Sequence, residues 1–246
     1  HLSIEFRQLR LPTSSIPPSS VPSHMPDACR NLLLTFGPTY EPIDAVRFIG
    51  NRSSGRLGAS LADAADRSGW AVTALIGPNA AVPERSSVKI QRFRTTSDLQ
   101  QLLSEHTPNA DLLIMAAAVA DFRPAKPVDV SHKLPRSASG LVLKLEATPD
   151  LLAGLAGGKR SSQVFVGFAL EDHEGLTELA IRKKKRKMVD YIVANPLETM
   201  DSDVIDATII GPTEELITRT GPLMKSEFAE YLLTFLERDH RLRHNT

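Results

Sequence analysis

What this chain has little of narrows it first. It carries one cysteine, Cys29, so no intrachain disulfide framework can form and the composition fits a reducing compartment. Charge of neither sign is in excess: 29 Lys and Arg balance 29 Asp and Glu, leaving no global field to recruit nucleic acid or an anionic membrane. No apolar run approaches the length of a membrane span, and the N-terminus has no apolar signal core. The seven histidines show no metal-ligand spacing, and there is no GxSxG elbow, so zinc and serine-hydrolase readings fall away. Neither GxGxxG nor GxxxxGK[ST] occurs, which removes the standard dinucleotide and P-loop fingerprints. A soluble, cytoplasmic protein with no nucleic-acid or membrane partner is the expectation. Its 246 residues suffice for one large core.

What is present is alternation. Residues 1–27, including LPTSSIPPSSVPSHMP, are rich in Pro and Ser and nearly free of periodic apolar positions, so they read as a tail outside the fold. From residue 28 to 246 the chain reads as one domain. LLLTF is a buried strand, GRLGASLADAADRSG an amphipathic helix, and WAVTALIG a second strand. KIQRFR is a third strand, followed by a helix over TTSDLQQLLSEH capped by Thr96 or Ser97. DLLIMAAAVA, LVLKLEA, QVFVGFAL, DYIVANP, ATIIG and ELITRT read as further strands. A polar helix is expected from about Asp172 to Met188, and an amphipathic one over KSEFAEYLLTFLERDH. The class is α/β, a doubly wound and mainly parallel sheet with helices on both faces.

In such sheets ligands lie beyond the carboxyl ends of the strands. The loops at those ends hold Asp44, Asn51, Asp121, Arg123, Glu171 and Asn195. In IGNRSSGRLG, Gly55 and Gly58 permit close backbone approach, and the free amides opening the next helix favour an anion. A plain helix cap by Ser53 or Ser54 accounts for the same residues without a ligand. In AAAVADFRPAK, small residues leave room for a flat ligand, Asp121 can hold a metal or a hydroxyl, and Arg123 or Lys126 can reach phosphates. A packing contact with a turn cap at Asp121 is the plainer alternative. HKLPR, residues 132–136, is a basic loop that can close over a polyphosphate or simply stay solvated. In RKKKRK, Lys183 and Lys187 lie one helical turn apart, so both ammonium groups can meet one phosphate, or face water.

Several of these stretches together resemble one family. GPTYEPIDAVRFIGNRSSGRLG, AAAVADFRP, the HKL segment, ATPDLL, VGFALE, IRKKKRKMVDYIVAN and GPLMKSEFAEYLL are similar, in order, to blocks of the bacterial phosphopantothenate–cysteine ligases, or phosphopantothenoylcysteine synthetases. The resemblance covers roughly residues 30–237. It implies a Rossmann-like fold, a homodimer, and a reaction in coenzyme A biosynthesis. There, CTP with Mg2+ activates 4′-phosphopantothenate as an acyl-cytidylate, which L-cysteine attacks to give 4′-phosphopantothenoylcysteine. By the same resemblance, Asn51 and Lys133 are catalytic. Ala117, Asp121, Phe168, Lys183 and Lys187 bind the nucleotide, with Asp121 beside the metal. Asn51, Arg52, Ser53, Ser54 and Gly55 bind the acyl substrate. The family pattern is departed from in three places: Pro135 and Arg136 replace two lysines of its KxKK loop, Gly50 replaces serine, and Pro196 replaces aspartate. The roughly thirty residues before the first strand are too few for the flavin-dependent decarboxylase domain often fused there. A stand-alone ligase is expected, with a separate phosphopantothenoylcysteine decarboxylase as a candidate partner. A Rossmann oxidoreductase and a non-catalytic nucleotide-binding relative are the competing readings.

Overall fold

Runs of Leu, Ile and Val too apolar to face water on either side demand a sheet covered on both faces, and the computed structural model has one. It describes residues 30–125, 131–136, 140–213 and 217–244, with side chains to residue 238. The Pro/Ser-rich tail, Cys29 and Lys126 lie outside the described residues.

The parallel part consists of β1 (Asn31–Phe36), β4 (Ala71–Ile76), β5 (Lys89–Arg92), β6 (Leu112–Met115), β9 (Val164–Glu171) and β10 (Tyr191–Pro196). Antiparallel β11 (Val204–Ile210) and β12 (Ile217–Met224) extend it, giving eight strands in the order β12-β11-β10-β9-β6-β1-β4-β5. Among the parallel strands this is the doubly wound arrangement, with its switch point between β1 and β6. Two short hairpins stand outside the sheet: β2 (Tyr40–Pro42) with β3 (Phe48–Gly50), and β7 (Phe122–Pro124) with β8 (Leu145–Ala147).

Strand alternation sorts the helices onto two faces. Leu32, Leu34 and Phe36 of β1 share a core with α1 (Arg56–Arg67) and α5 (Lys225–His244), through Leu61, Ala65, Phe228 and Leu232. Leu33, one residue out of phase, points the other way, into a core with α2 (Thr96–His106) and α3 (Leu151–Ala156). On that second side α4 (Leu176–Lys187) packs Leu176 and Ala180 on Ile192 and Ala194 of β10. Each fully buried leucine contributes about 1.5–3 kcal/mol relative to exposure, so either layer alone would leave the sheet half uncovered and unstable.

Four sequence expectations need correction. Thr95, not Thr96 or Ser97, caps α2: its hydroxyl accepts from the Asp98 amide at 3.1 Å, while the Asp98 carboxylate accepts from the Thr95 amide at 2.9 Å. Thr96 is instead buried, donating to Glu41 through both its amide and hydroxyl at 2.7 Å. LVLKLEA is not a sheet strand; only Leu145–Ala147 pairs, with β7, and Val142 is 96% exposed. β6 ends at Met115, because Ala116–Ala120 leave the ladder and bridge instead to the turn after β1, Ala118 opposite Pro38. Finally, α4 starts at Leu176, where Gly175 at φ +72° turns the chain, rather than at Asp172. Among the described residues, no helix is long and apolar enough to cross a membrane.

Candidate functional site

A cleft of about 780 Å³ opens beyond the carboxyl ends of β1, β6, β9 and β10, where the switch point predicts it. Its floor is the small-residue stretch Ala116–Ala120, and its wall is Phe168 to Leu170 of β9. Residues 50–58 form the rim that joins β3 to α1.

That rim is shaped by glycine. Gly55 is the N-cap of α1 in the left-handed region, φ +70°, and no side chain caps the helix, so the serine-cap reading does not hold. A Cβ on Gly55 would stand 2.6 Å from the Cβ of Ala80. A Cβ on Gly58 would overlap Cβ and Cγ of Phe36 and lie 2.5 Å from its Cδ1, so α1 rests directly against β1 at this point. The amides opening α1 are therefore presented to the cleft without a side-chain acceptor, and no acidic residue occupies the first turn. Asn51 is fixed to the floor: its Nδ2 donates to the Val119 carbonyl at 2.9 Å. Gly50 is explained by its surroundings, since a Cβ there would meet the Thr39 carbonyl at 2.6 Å and the Tyr40 ring at 2.9 Å. That ring is held in place by stacking on Phe48 at 3.7 Å.

Cations line both margins, and five of them are tied to a carboxylate or a carbonyl. On the α3/α4 side Lys183 pairs with Glu171, and Lys187 donates to both oxygens of Asp150 at 2.7 Å. Asp150 also caps α3 by accepting from the Ala153 amide at 3.2 Å. Burial pushes its carboxyl up, but the hydrogen bonds from Lys187 and Ala153 and the Lys187 charge hold it below the usual carboxylate value. On the α1/α5 side Arg52 pairs with Asp201, Arg56 with Asp203, and the Lys225 ammonium donates to the Ser202 carbonyl. Asp201 holds a left-handed backbone, φ +62°, which bends the turn so that its carboxylate faces Arg52.

The structure thus brings Asn51, Arg52, Ser53, Ser54, Gly55, Ala117, Asp121, Phe168, Lys183 and Lys187 to one cleft, along with Asn195. Lys133 does not line it. The segment holding Lys133 is fastened to the β2–β3 turn: the Leu134 amide donates to Asp44 at 3.1 Å, and the Ala45 amide to the His132 carbonyl at 3.1 Å. Asp44 is likewise not a cleft residue. It is buried, and amides of Val46 and Arg47 at 2.8 Å lead the interactions that hold its carboxyl below the ordinary value. Arg123 points away too, to Glu146 at 2.9 Å. Glu171 contributes through its pair with Lys183.

Sequence reasoning missed Arg56, Asp150, Arg186, Lys225 and the turn at Met200 and Asp201, all on the cleft wall. Asp150 had a signal, an aspartate three residues before a free helical amide in TPDLLA. Lys225 had no local signal, since α5 is brought to the cleft by packing beside α1. Among the described residues no three His, Cys, Asp or Glu side chains converge as a metal site. Asp121 still suits Mg2+, which commonly takes one or two carboxylates and fills the rest of its shell with phosphate oxygens and water.

Residues 28–238 match the family described as the DNA/pantothenate metabolism flavoprotein C-terminal domain. Over 224 residues the chain is 35% identical to the coenzyme A biosynthesis bifunctional protein CoaBC of Mycobacterium bovis, covering 85% of this chain and 53% of that protein. It is 41% identical over 169 residues to a protein named cysteine/cysteine sulfinic acid decarboxylase from an unknown prokaryotic organism, covering 69% of this chain and 46% of the relative. The chain therefore spans about half the length of these curated relatives. Among solved structures, the C-terminal domain of a CoaBC protein superposes with a TM-score of 0.71 at 30% identity, covering 88% of this chain and 97% of that one.

Proposed function

The chain belongs to the DNA/pantothenate metabolism flavoprotein C-terminal domain family, and on that premise we propose that it is the ligase of coenzyme A biosynthesis that joins 4′-phosphopantothenate to L-cysteine at the expense of CTP. The observation that supports this most is the gathering of Asn51, Asp121, Phe168, Lys183 and Lys187 from four separate stretches around one cleft. A carboxylate and a triphosphate repel each other, so the site's first task is to neutralise charge while holding the two in line.

In the first step a carboxylate oxygen of 4′-phosphopantothenate attacks the α-phosphorus of CTP. The bond to the bridging oxygen breaks and pyrophosphate leaves with its electron pair. Lys183 and Lys187 exchange Glu171 and Asp150 for phosphate oxygens. Asp121 would hold Mg2+, which when bound would supply shielding of the triphosphate charge. Ala117 and Phe168 frame the cytosine through backbone and ring edge. Lys133 neutralises the departing pyrophosphate, which requires residues 131–136 to leave the Asp44 turn and close over the cleft. In the second step the free amine of L-cysteine attacks the acyl carbon, CMP leaves, and the amine loses a proton as the amide forms. Asn51 steadies the acyl-cytidylate carbonyl, with Arg52, Ser53, Ser54 and the Gly55 amide around the acyl substrate. A homodimer in the cytoplasm completes the reading. Its functional neighbour is a phosphopantothenoylcysteine decarboxylase, joined to it or separate, in keeping with the bifunctional naming of the Mycobacterium bovis relative.

The test is pyrophosphate release from purified protein with 4′-phosphopantothenate, Mg2+ and L-cysteine, comparing CTP with ATP. Release that requires 4′-phosphopantothenate and favours CTP is expected. Folded protein that releases none with either nucleotide refutes the proposal.

A further inference from the structure

Thr39 lies between β1 and β2, is fully buried, and does not line the cleft. Its hydroxyl oxygen nevertheless accepts from the Ala120 amide of the cleft floor at 2.9 Å, and its own amide donates to the Ala118 carbonyl at 3.2 Å. The Ala120 N–H and the Val119 C=O belong to one peptide unit, which is planar and trans, so the two groups point in opposite directions. Thr39 holds that plane from the buried side. On the other side the Val119 carbonyl accepts from Asn51 Nδ2 at 2.9 Å. One rigid plane thus stands between a core threonine and Asn51.

Thr39 is itself fixed. The next amide, of Tyr40, donates to the Arg94 carbonyl at 2.7 Å, and Thr39 Oγ1 lies 3.4 Å from Oγ1 of Thr96. Thr96 has a single hydroxyl proton and gives it to Glu41 at 2.7 Å, which leaves Thr39 Oγ1 to accept from Ala120. Glu41 and Thr96 are buried as well, so bulk water does not compete for these groups. The following peptide is held separately. Thr148 donates its hydroxyl to the Ala120 carbonyl at 2.5 Å and its amide to the Asp121 carbonyl at 3.0 Å. Asp121 therefore has its own support, while Asn51 depends on the plane that Thr39 holds. The Asn51 amide has two hydrogens; the Val119 carbonyl takes one and leaves the other for a ligand.

We infer that Thr39 is a positioning residue for Asn51, acting through the Val119–Ala120 peptide and never touching the substrate itself. It aims the second Asn51 N–H at the acyl carbonyl, and the step at which this matters, attack by the L-cysteine amine, rests on the ligase reading. Without the Thr39 oxygen the Ala120 amide is buried with no acceptor. The peptide then turns to find one and carries the Val119 carbonyl, with Asn51, out of place. A buried amide deprived of its acceptor corresponds to about a ten- to hundredfold shift between the held and the released peptide.

The experiment compares wild type with Thr39→Val, which keeps the shape and removes the acceptor, and Thr39→Ser, which restores it, each checked by thermal unfolding. Thr39→Cys, a weaker acceptor, takes the place of valine if that variant does not fold. Thr39→Val should slow product formation with L-cysteine by about tenfold or more, while the pyrophosphate burst and the KM for CTP stay within about twofold of wild type. Thr39→Ser should recover most of the rate. In an Asn51→Asp background Thr39→Val should cost less than about twofold further, because the two residues act as one unit. An unchanged rate, an equal fall in burst and product, a serine variant no better than valine, or full additivity with Asn51→Asp overturns the inference. A readout without turnover separates it from the ligase reading. If wild type releases no pyrophosphate, the side-chain amide signals of Asn51 in a 1H–15N spectrum, identified by their loss in Asn51→Asp, still report the linkage. They should move in Thr39→Val and return in Thr39→Ser; signals that stay in place in Thr39→Val overturn it.

Discussion

Replacing Gly58 with alanine is a severe test of how the rim of the cleft is built, because the same substitution at Gly154 should have the opposite sign. Gly58 lies in the first turn of α1, and an added Cβ would lie 2.5 Å from Cδ1 of Phe36 and closer still to its Cβ and Cγ. Carbon atoms prefer roughly 3.5–4.0 Å, so helix and strand must part by about 1 Å or more. Phe36 is 1% exposed and its Cβ is fixed by the strand, so the ring cannot swing clear. Overpacking of this kind costs about 1–3 kcal/mol, and the rigidity of the contact argues for the upper end. Alanine's better helix propensity returns about 1 kcal/mol, leaving a net loss of about 2 kcal/mol. For a chain of this size that is a fall of about 4–8 °C in Tm. Gly154, in α3, is exposed and would meet nothing within 4 Å, so Gly154→Ala should gain about 0.5–1 kcal/mol. Thermal and urea unfolding of the two variants decide the matter. Gly58→Ala at or above wild-type stability would refute the close-approach argument. A destabilised Gly154→Ala would refute the propensity argument.

Thr95→Ala removes the acceptor for the Asp98 amide and should lower stability by about 1 kcal/mol in urea unfolding; an unchanged midpoint would mean that the cap contributes nothing. Asp150 has a native carboxyl below its unfolded value, so the stability it confers is complete above about pH 4 and is lost as pH falls through the native value. Asp150→Asn should therefore flatten the decline in stability on acidification, and parallel declines in the two proteins would contradict the assignment. Asn51→Asp should still bind CTP yet form less product with L-cysteine by about a hundredfold, whereas Lys133→Gln should lose the pyrophosphate burst itself. Normal product from the first or a normal burst from the second would remove the role given to that residue.

The sheet was readable from the sequence because its strands are continuous apolar runs and its long helices have a clear apolar face. LLLTF, WAVTALI and QVFVGFAL could go nowhere but a buried sheet, and the spacing of Leu57, Leu61 and Ala65 fixed the covered face of α1. Failures came where local pattern competed with tertiary contact. LVLKLEA has strand propensity but no seat in the main sheet, whose edges are taken by β5 and β12. Thr96 has the chemistry of a cap, yet Glu41, 55 residues away, claims its hydroxyl, and Thr95 takes the role. Long-range partnerships of that kind leave no local trace. The rim was readable as a candidate anion site because glycines and serines stand before a helix. Lys225 was not, since its place in the cleft depends on α5 packing beside α1, far apart in sequence.

The balanced charge of the chain recurs inside the cleft, where it sets what can bind. Arg52, Arg56, Lys183 and Lys187 are each paired with a carboxylate, so most of the positive charge lining the cleft is compensated. A monoanion that displaced one carboxylate would exchange one partly solvated ion pair for another, a change of about 0–1 kcal/mol. A polyphosphate differs because it can engage several ammonium and amide donors at once while the displaced carboxylates turn to water, remaining near enough to repel anions that bind loosely. The pairing therefore lowers affinity for every anion but penalises chloride and single carboxylates most, and it holds each cation in place before the ligand arrives. Discrimination among anions follows from the carboxylates as much as from the lysines.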